Sequence, residues 1–417
     1  MLTLSNAKQQ RLIYAIFIMY TSVYLAKLNY NALLVEILND LGGSRSAAGM
    51  VGSFFFFSYG IGQVVNGFFA KYMNEKIVMT LSLFGSAVCN ILMCLAPSIS
   101  IMKYIWLLNG AVMSPLWCNV VKVQGKYIDQ SNLPKALTIS GLTTPLGTAI
   151  NYGVCALIVR FSTWQVSFWL AGGLMLIMAV MWYAVISDIE LSAGPLVESE
   201  KQTETTKEPK IISKKLSVAV LFTLIILFVT GMFTQFTRDG LNAWVPSILY
   251  EVYNIPTTLS IALTLFMPLL SCFSNFILVA FERKSKDFLV LSIVFVGVAS
   301  MFMAVLVSCY SLNSVVITFG CFIIISLCCA AIANITTNHL PLYYRDRFDP
   351  GRMAGIGQGA CYIGSTLSTY TLGYVADKGG WYNVFLMLGI VIFASLVLCI
   401  IVKVLTKERH QHPRFIH

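Results

Sequence analysis

Tyr24-Leu25-Ala26-Lys27-Leu28-Asn29 places a cation in the middle of the apolar segment 11–38. Moving a charged side chain to the centre of a bilayer costs roughly 3 kcal/mol on insertion scales, so a charge held there marks a functional site. Arg238 repeats this situation half a chain later, in the apolar segment 216–250. The organisation of the chain therefore depends on whether both segments cross a membrane.

The composition places the chain among membrane proteins. Of its 417 residues, 57% are hydrophobic and 11% are charged, and the mean hydropathy is +0.77. A soluble globule cannot bury so large an apolar fraction, so we predict an all-α protein embedded in the lipid bilayer. The 11 cysteines are scattered through apolar runs without a C-x-x-C pair, and we expect no metal site, disulfide framework or cofactor.

Twelve apolar runs are long enough, at about 20 residues each, to cross roughly 30 Å of hydrocarbon. The first six lie at 11–38, 47–70, 77–97, 101–121, 136–159 and 164–187, and the second six at 216–250, 257–281, 288–309, 313–343, 352–376 and 382–402. The polar stretch between the two sets cannot bury a core. We therefore predict an N-terminal six-helix bundle over 1–187, a cytoplasmic linker loop over 188–215 and a C-terminal six-helix bundle over 216–417.

The two halves also repeat each other. Trp164-Gln-Val-Ser-Phe168 recurs as Trp381-Tyr-Asn-Val-Phe385 at the start of the last run of each half, and Lys27 and Arg238 occupy matching runs. Secondary transporters are commonly built from two such repeats, with the ligand site near the midplane where the halves meet. The pattern predicts two pseudo-repeat bundles with the two cations between them.

The distribution of charge gives an independent check on this topology. Cytoplasmic loops of membrane proteins carry an excess of Lys and Arg. With both termini in the cytoplasm, the basic residues on the outer side are Arg45, Lys103, Arg160 and Lys378. All other basic residues except Lys27 and Arg238 fall on the cytoplasmic side. The net charge of +10 therefore reflects topology, and we expect no nucleic-acid partner.

Lys27 and Arg238 have no acidic residue three or four positions away on their own helices. Residues three and four positions away are neighbours on a helix surface, and none of these is Asp or Glu. An unpaired cation in a membrane needs an anion, so we predict an anionic ligand. Asn29, Gln235 and Asn242 lie close to the cations in sequence and are expected to face the same cavity, because polar side chains are costly in lipid.

An alternative is that each cation pairs with an acid on another helix, with Glu36 and Asp239 as the candidates. Asp239 follows Arg238 directly but points about 100° away on a regular helix. A titratable carboxylate in the cavity makes Asp239 a candidate for proton coupling. His339 is a second candidate, and its alternative interpretation is a structural, hydrogen-bonded histidine.

A family resemblance rests on Tyr20, Tyr24, Lys27, Asn29, Tyr59-Gly60, Arg238-x-Gly240-x-x-x-Trp244-x-Pro246, Gly351-Arg352-Met-Ala354-Gly355, Tyr362-Ile-Gly364 and Gly380-Trp381. Together they resemble the organophosphate:phosphate antiporter family of the major facilitator superfamily, which includes the glycerol-3-phosphate and hexose-phosphate transporters. The resemblance implies that Lys27 and Arg238 bind a substrate phosphate, with Tyr24, Tyr59 and Tyr362 as hydrogen-bonding wall residues.

The chain departs from that family at several positions. Its first basic residue is Lys27 where the phosphate transporters have Arg, Thr144 replaces a histidine of the glycerol-phosphate branch, and Gln63 replaces a lysine. The superfamily loop signature GxxxDRxGRR is degraded in the segment 67–76, and Asp239 stands where the family is usually uncharged.

We therefore predict a secondary active transporter of a small organic anion that works by alternating access. The expected substrate is a phosphorylated metabolite, such as a sugar phosphate or glycerol phosphate, exchanged for phosphate. The alternatives are a proton-coupled symporter of a sugar acid or other carboxylate, and a sensor that binds a phosphorylated ligand without transport. An enzyme is disfavoured because no nucleophile, base and orienting group cluster in any run. We expect a monomer in a bacterial inner membrane.

Overall fold

The computed structural model describes residues 4–69, 72–129, 131–193, 218–285, 287–312, 314–344 and 350–407. In these ranges the membrane-crossing helices are α1 (Asn6–Ala32, continued by Leu34–Leu41), α2 (Arg45–Phe69), α3 (Glu75–Cys94), α4 (Ile99–Met113 and Pro115–Tyr127), α5 (Leu133–Phe161), α6 (Gln165–Ala193), α7 (Val218–Tyr253), α8 (Thr257–Thr264, Phe266–Ser271 and Phe273–Glu282), α9 (Phe288–Ser308), α10 (Val315–Asn334, Ile335–His339 and Leu340–Tyr343), α11 (350–379) and α12 (381–407).

Helix α6 extends into the predicted linker over residues 188–193. Helix α6 continues to Ala193 and α7 begins at Val218. The remainder of the predicted linker lies outside the described residues, as do residues 70–71 of the degraded loop signature.

The chain crosses the membrane twelve times because its last helical segment is broken at Gly380. Eleven helices among the described residues are long and apolar enough to cross a membrane, and the last of them covers 53 residues. At 1.5 Å per residue such a helix would be about 80 Å long, more than twice the hydrocarbon thickness. At Gly380 the backbone is non-helical, with φ 71° and ψ −179°, so the chain turns there and re-enters as α12. The predicted number of twelve spans is thereby confirmed.

Replacing Gly380 with alanine is expected to destabilise the protein. Its φ and ψ lie in a region that is essentially restricted to glycine and that costs another residue about 1–3 kcal/mol. Gly389→Ala is the matched control, because Gly389 is helical and has no atom within 4 Å of an added Cβ. Thermal unfolding of the purified variants should show a lower midpoint for Gly380→Ala only. Equal midpoints would contradict the assigned turn.

The helices form two bundles, α1–α6 and α7–α12. In the first, α1 packs on α5 and α6, α2 on α4, and α3 on α6. In the second, α7 packs on α10 and on the α11–α12 segment, and α9 packs on α10 and on that same segment. Because the chain crosses twelve times, its first and last helices begin and end on one side. We call this side the terminal end and the other side the opposite end.

Helix α2 and helix α11 bring the two bundles into close contact. A Cβ added to Gly49 would lie 2.2 Å from the Thr369 carbonyl oxygen, and one added to Gly373 would lie 2.5 Å from the Arg45 carbonyl oxygen. Both clashes are with backbone atoms, which cannot rotate away as a side chain can. Only glycine at these two positions allows the helices to approach so closely.

An ionic clasp joins the bundles at the opposite end. The Arg45 guanidinium donates to Glu251 Oε2 at 2.6 Å, and the backbone N–H groups of Arg45 and Ser46 donate to the Asp377 carboxylate at 3.0 and 2.8 Å. Trp381 Nε1 also donates to Glu251 Oε2, at 2.8 Å. Acids of the second bundle therefore hold the N-terminus of α2, where the helix dipole favours negative charge. We refer to Arg45, Ser46, Glu251 and Asp377 as the opposite-end clasp.

Further polar contacts between the bundles lie between the clasp and the membrane centre. Ser53 and Thr369 hydroxyls are 2.7 Å apart, and the Tyr152 hydroxyl donates to the Asn242 carbonyl oxygen at 2.7 Å. The clasp and these two contacts all join the bundles in the half of the molecule toward the opposite end. The space between the two bundles is therefore closed at that end.

Candidate functional site

Lys27 lies at the centre of α1, where it is only 8% exposed. Its ammonium nitrogen is 3.9 Å from the centre of the Tyr59 ring, and 5.7, 5.8 and 6.0 Å from those of Tyr24, Phe55 and Tyr362. Aromatic faces attract a cation at these distances. We call these four rings the aromatic cage. They come from α1, α2 and α11, so the cage is shared by both bundles.

Small residues allow the cage to form. Gly60 lets α2 approach α11, because a Cβ there would lie 2.7 Å from the Cβ of Tyr362. The Tyr59 and Tyr362 rings consequently meet edge to face, with centroids 5.1 Å apart. On the other side, the Tyr24 hydroxyl lies 2.7 Å from the Thr144 hydroxyl of α5. The rings around Lys27 are therefore held by contacts from three neighbouring helices.

Arg238 lies in α7 with hydrogen-bonding capacity that the protein does not use. Its Nε atom is buried and has no hydrogen-bond partner. In the described part of the chain, neither Glu36 nor Asp239 forms a salt bridge with Arg238 or Lys27. The side-chain oxygens of Gln235 and Asn242 are also buried without a partner. Leaving such groups unpaired costs about 1–3 kcal/mol each, and more when they are charged.

Asp239 faces α11 and not the guanidinium beside it. Its Oδ2 accepts hydrogen bonds from Gln235 Nε2 at 2.9 Å and from the Ser365 hydroxyl at 2.6 Å. The carboxylate also interacts electrostatically with Lys27 and with the Tyr362 hydroxyl. One carboxylate and two cations therefore share the space between the bundles.

Two predicted site residues lie apart from this cluster. Asn29 is fully buried inside the first bundle, where its Nδ2 donates to Asn90 Oδ1 at 2.9 Å. Asn90 in turn donates to the carbonyl oxygen of Ala26 at 3.2 Å. Asn29 thus supports the backbone next to Lys27 and does not line the space between the bundles. His339 lies near the terminal end, where its Nδ1 is 3.0 Å from Glu282 Oε2.

Sequence reasoning did not single out three parts of the site. Phe55 was hidden within a run of four phenylalanines, although it lies one turn before Tyr59 on the same helix face. Ser365 lies three residues after Tyr362, and the same face of α11 could have identified it. The opposite-end clasp was missed because Arg45 was assigned to the outer surface without a partner.

A lysine in an aromatic cage and an unpaired arginine lie between two bundles of membrane-crossing helices. These features place the chain in the class of membrane transport proteins. Their charges lie at a depth where a membrane protein keeps them only for a function. The chain belongs to the Major Facilitator Superfamily, whose family model matches residues 15–369. This confirms the predicted superfamily and the prediction of a transporter over an enzyme.

Curated relatives include phosphate-ester transporters. A probable hexose phosphate transport protein of Chlamydia pneumoniae is 24% identical over 262 residues, which is 58% of this chain and 57% of the relative. The glycerol-3-phosphate transporter of Bacillus subtilis is 24% identical over 250 residues, 57% of this chain and 56% of the relative. The chain therefore spans little more than half of these relatives. The hexuronate transporter of Bacillus subtilis is 23% identical over 386 residues, 86% of each chain.

Solved structures share the fold. A bacterial homologue of the human lysosomal transporter Spinster, in an inward-facing and occupied conformation, matches with a TM-score of 0.78 at 12% identity, covering 98% of this chain and 100% of that one. The nucleoside transporter NupG matches with a TM-score of 0.69 at 14% identity, covering 96% and 99%. These similarities confirm the all-α architecture that the sequence predicts.

Proposed function

We propose that this protein is a secondary active transporter of a small organic anion, most specifically a phosphorylated metabolite. The observation that carries the proposal is the buried Nε of Arg238, which has no partner, together with a buried lysine that forms no salt bridge among the described residues. The names of the hexose phosphate and glycerol-3-phosphate relatives support the choice of a phosphate ester.

The chemistry of a phosphate group suits these side chains. A guanidinium presents its N–H groups as a planar fork that fits two phosphate oxygens. Lys27 supplies a second positive charge as a compact ammonium group. Gln235, Asn242 and the hydroxyls of the aromatic cage supply the polar groups for the rest of the substrate. The site is complete within one chain, and we propose that the monomer is sufficient.

Alternating access follows from the placement of the charges. When the site is empty, two like charges in a medium of low dielectric repel each other and resist closure of the bundles around them. A bound anion removes this repulsion and lets the bundles rock past the central site. The opposite-end clasp must open for the substrate to be exchanged at that end. Exchange of one anion for another is the expected cycle.

We further propose that the terminal end faces the cytoplasm of a bacterial cell, so that the protein lies in the plasma membrane. Lys8, Arg11, Lys76, Lys122 and Lys126 all lie near the terminal end. An excess of basic residues is typical of cytoplasmic faces. The bacterial sources of the phosphate-ester relatives fit this placement.

A second candidate function is proton-coupled symport of a sugar acid. It is favoured by the carboxylate of Asp239 between the bundles and by the relative named a hexuronate transporter, which aligns over 86% of this chain. His339 is paired with Glu282 near the terminal end, so Asp239 is the residue through which protons would be coupled. An inward pH gradient should accelerate uptake of a hexuronate only if this alternative holds.

Counterflow into liposomes tests the proposed function. Purified protein is reconstituted into liposomes loaded with inorganic phosphate, and entry of radiolabelled glucose 6-phosphate or glycerol 3-phosphate is followed. We expect entry to depend on the internal phosphate and on the protein. Binding of these esters in a thermal-shift assay without any flux would indicate a sensor instead. If the protein shows no binding and no flux with any phosphate ester, carboxylate or inorganic phosphate, the proposed anion site is refuted.

A further inference from the structure

Asp239 is a fixed negative charge inside a site that otherwise attracts anions. Its Oδ2 accepts hydrogen bonds from Gln235 and Ser365, and among the described residues its Oδ1 has no partner. A carboxyl group that only accepts hydrogen bonds makes the contacts of its ionised form. The two donors hold the carboxylate against α11 while leaving both nearby cations unpaired.

Among the residues that the structure describes, Asp239 is the one acid within the site. The charged and titratable groups that interact electrostatically with it are Lys27 of α1, Tyr152 of α5, Cys329 of α10, and Cys361 and Tyr362 of α11, and Arg238 precedes it on its own helix. Tyr and free Cys are neutral at pH 7 when their pKa values are ordinary. Two positive charges and one negative charge therefore remain, and the empty site carries a net charge of +1.

A net charge of +1 discriminates between the two forms of a phosphate ester. The second ionisation of such a group has a pKa of about 6, so monoanion and dianion are both present near neutral pH. A bound monoanion makes the site neutral, whereas a bound dianion leaves an excess negative charge away from water. Burying uncompensated charge is costly in a medium of low dielectric.

We infer that Asp239 sets the charge form of the substrate, so that the site selects monoanions: a phosphate ester with one proton retained, or a singly charged carboxylate. This inference rests on the proposed function and deepens it. It also assigns Asp239 the role of a fixed charge, without proton transfer. Substrate protonation in solution then governs uptake.

The test compares glucose 6-phosphate with glucose 6-sulfate, whose ester is a monoanion at every pH used. Binding to the purified full-length protein is measured by titration calorimetry from pH 5 to pH 7.5. For the wild type we expect the sulfate ester to bind with a pH-independent affinity. The phosphate ester should weaken by about 30-fold over this range, as its monoanion falls to a few per cent of the total.

Asp239→Asn retains the shape and removes the charge, and it is expected to reverse this preference. The site then carries a net charge of +2, so the phosphate ester should bind more tightly as the pH rises and should exceed the sulfate ester at pH 7.5. Asp239→Glu is the matched control and should keep the wild-type pH profile.

Two outcomes would overturn the inference. One is a wild-type protein that binds the phosphate ester more tightly at pH 7.5 than at pH 5, which needs no variant to fold. The other is an Asp239→Asn variant with an unchanged preference between the two esters. Either result would leave the anion site itself intact, whereas a wild-type protein that binds neither ester at any pH would refute the proposed function.

Discussion

Replacing Arg238 with alanine is expected to reduce anion uptake to the level of protein-free liposomes. The guanidinium has a buried Nε without a partner, so its hydrogen bonds become available to a bound substrate. Removing one partner of a buried charge pair costs about 3–5 kcal/mol. That loss corresponds to a decrease in affinity of about a hundredfold to several thousandfold. Counterflow of labelled glucose 6-phosphate in reconstituted liposomes measures the effect.

The matched variants separate the charge from the geometry of the site. Arg238→Lys keeps the charge but loses the planar fork, and we expect uptake between that of the wild type and that of Arg238→Ala. Lys103→Ala is the control for a basic residue outside the site, because Lys103 lies over the Tyr104 ring at the opposite end. Wild-type uptake by Arg238→Ala would remove this residue from the mechanism.

Replacing Gly49 with valine is expected to abolish uptake through a different mechanism. An added Cβ would lie 2.2 Å from the backbone oxygen of Thr369, so α2 and α11 would have to separate and the clasp could not form. The protein would then stay open at the opposite end and could not complete a cycle. Binding of the substrate should survive, because Gly49 lies about 15 Å along α2 from Tyr59, the ring nearest to the Lys27 ammonium.

Distance measurements can show directly whether the Gly49→Val protein stays open at the opposite end. Spin labels on Asn39 and Lys378, both exposed at the opposite end, would report the separation of the two bundles. We expect a longer distance in Gly49→Val than in the parent protein, and the same result for Gly373→Val on the facing helix. Gly67→Val is the control on α2, because nothing lies within 4 Å of its added Cβ. Unchanged label distances together with normal uptake would contradict the tight helix contact as a seal.

Much of the fold could be predicted because a bilayer imposes simple rules on a sequence. Run length fixed the number of spans, and the cost of charge in lipid drew attention to Lys27 and Arg238 before any geometry was known. Even the break at Gly380 was contained in the division between the last two apolar runs. These features depend on composition and local spacing, which a sequence displays directly.

The parts of the site that involve contacts between distant segments were harder to predict. Asn29 is polar and close to Lys27, but its partner is Asn90 on α3, and nothing local distinguishes that contact from one with a ligand. The orientation of the Asp239 side chain depends on its hydrogen bond with Ser365, which is 126 residues away in the sequence. The clasp likewise joins Arg45 to Glu251 across 206 residues. Such pairs follow from how the bundles dock, and not from the pattern of either helix.

Equilibrium binding of glucose 6-phosphate to purified wild-type, Lys27→Ala and Arg238→Ala proteins tests the central claim most directly. Titration calorimetry at one pH, with glucose as the uncharged control, gives the affinity without requiring transport. The two-cation site predicts that the wild type binds the ester and not glucose, and that each variant loses at least a hundredfold in affinity. Variants that bind the ester as tightly as the wild type would contradict the two-cation site.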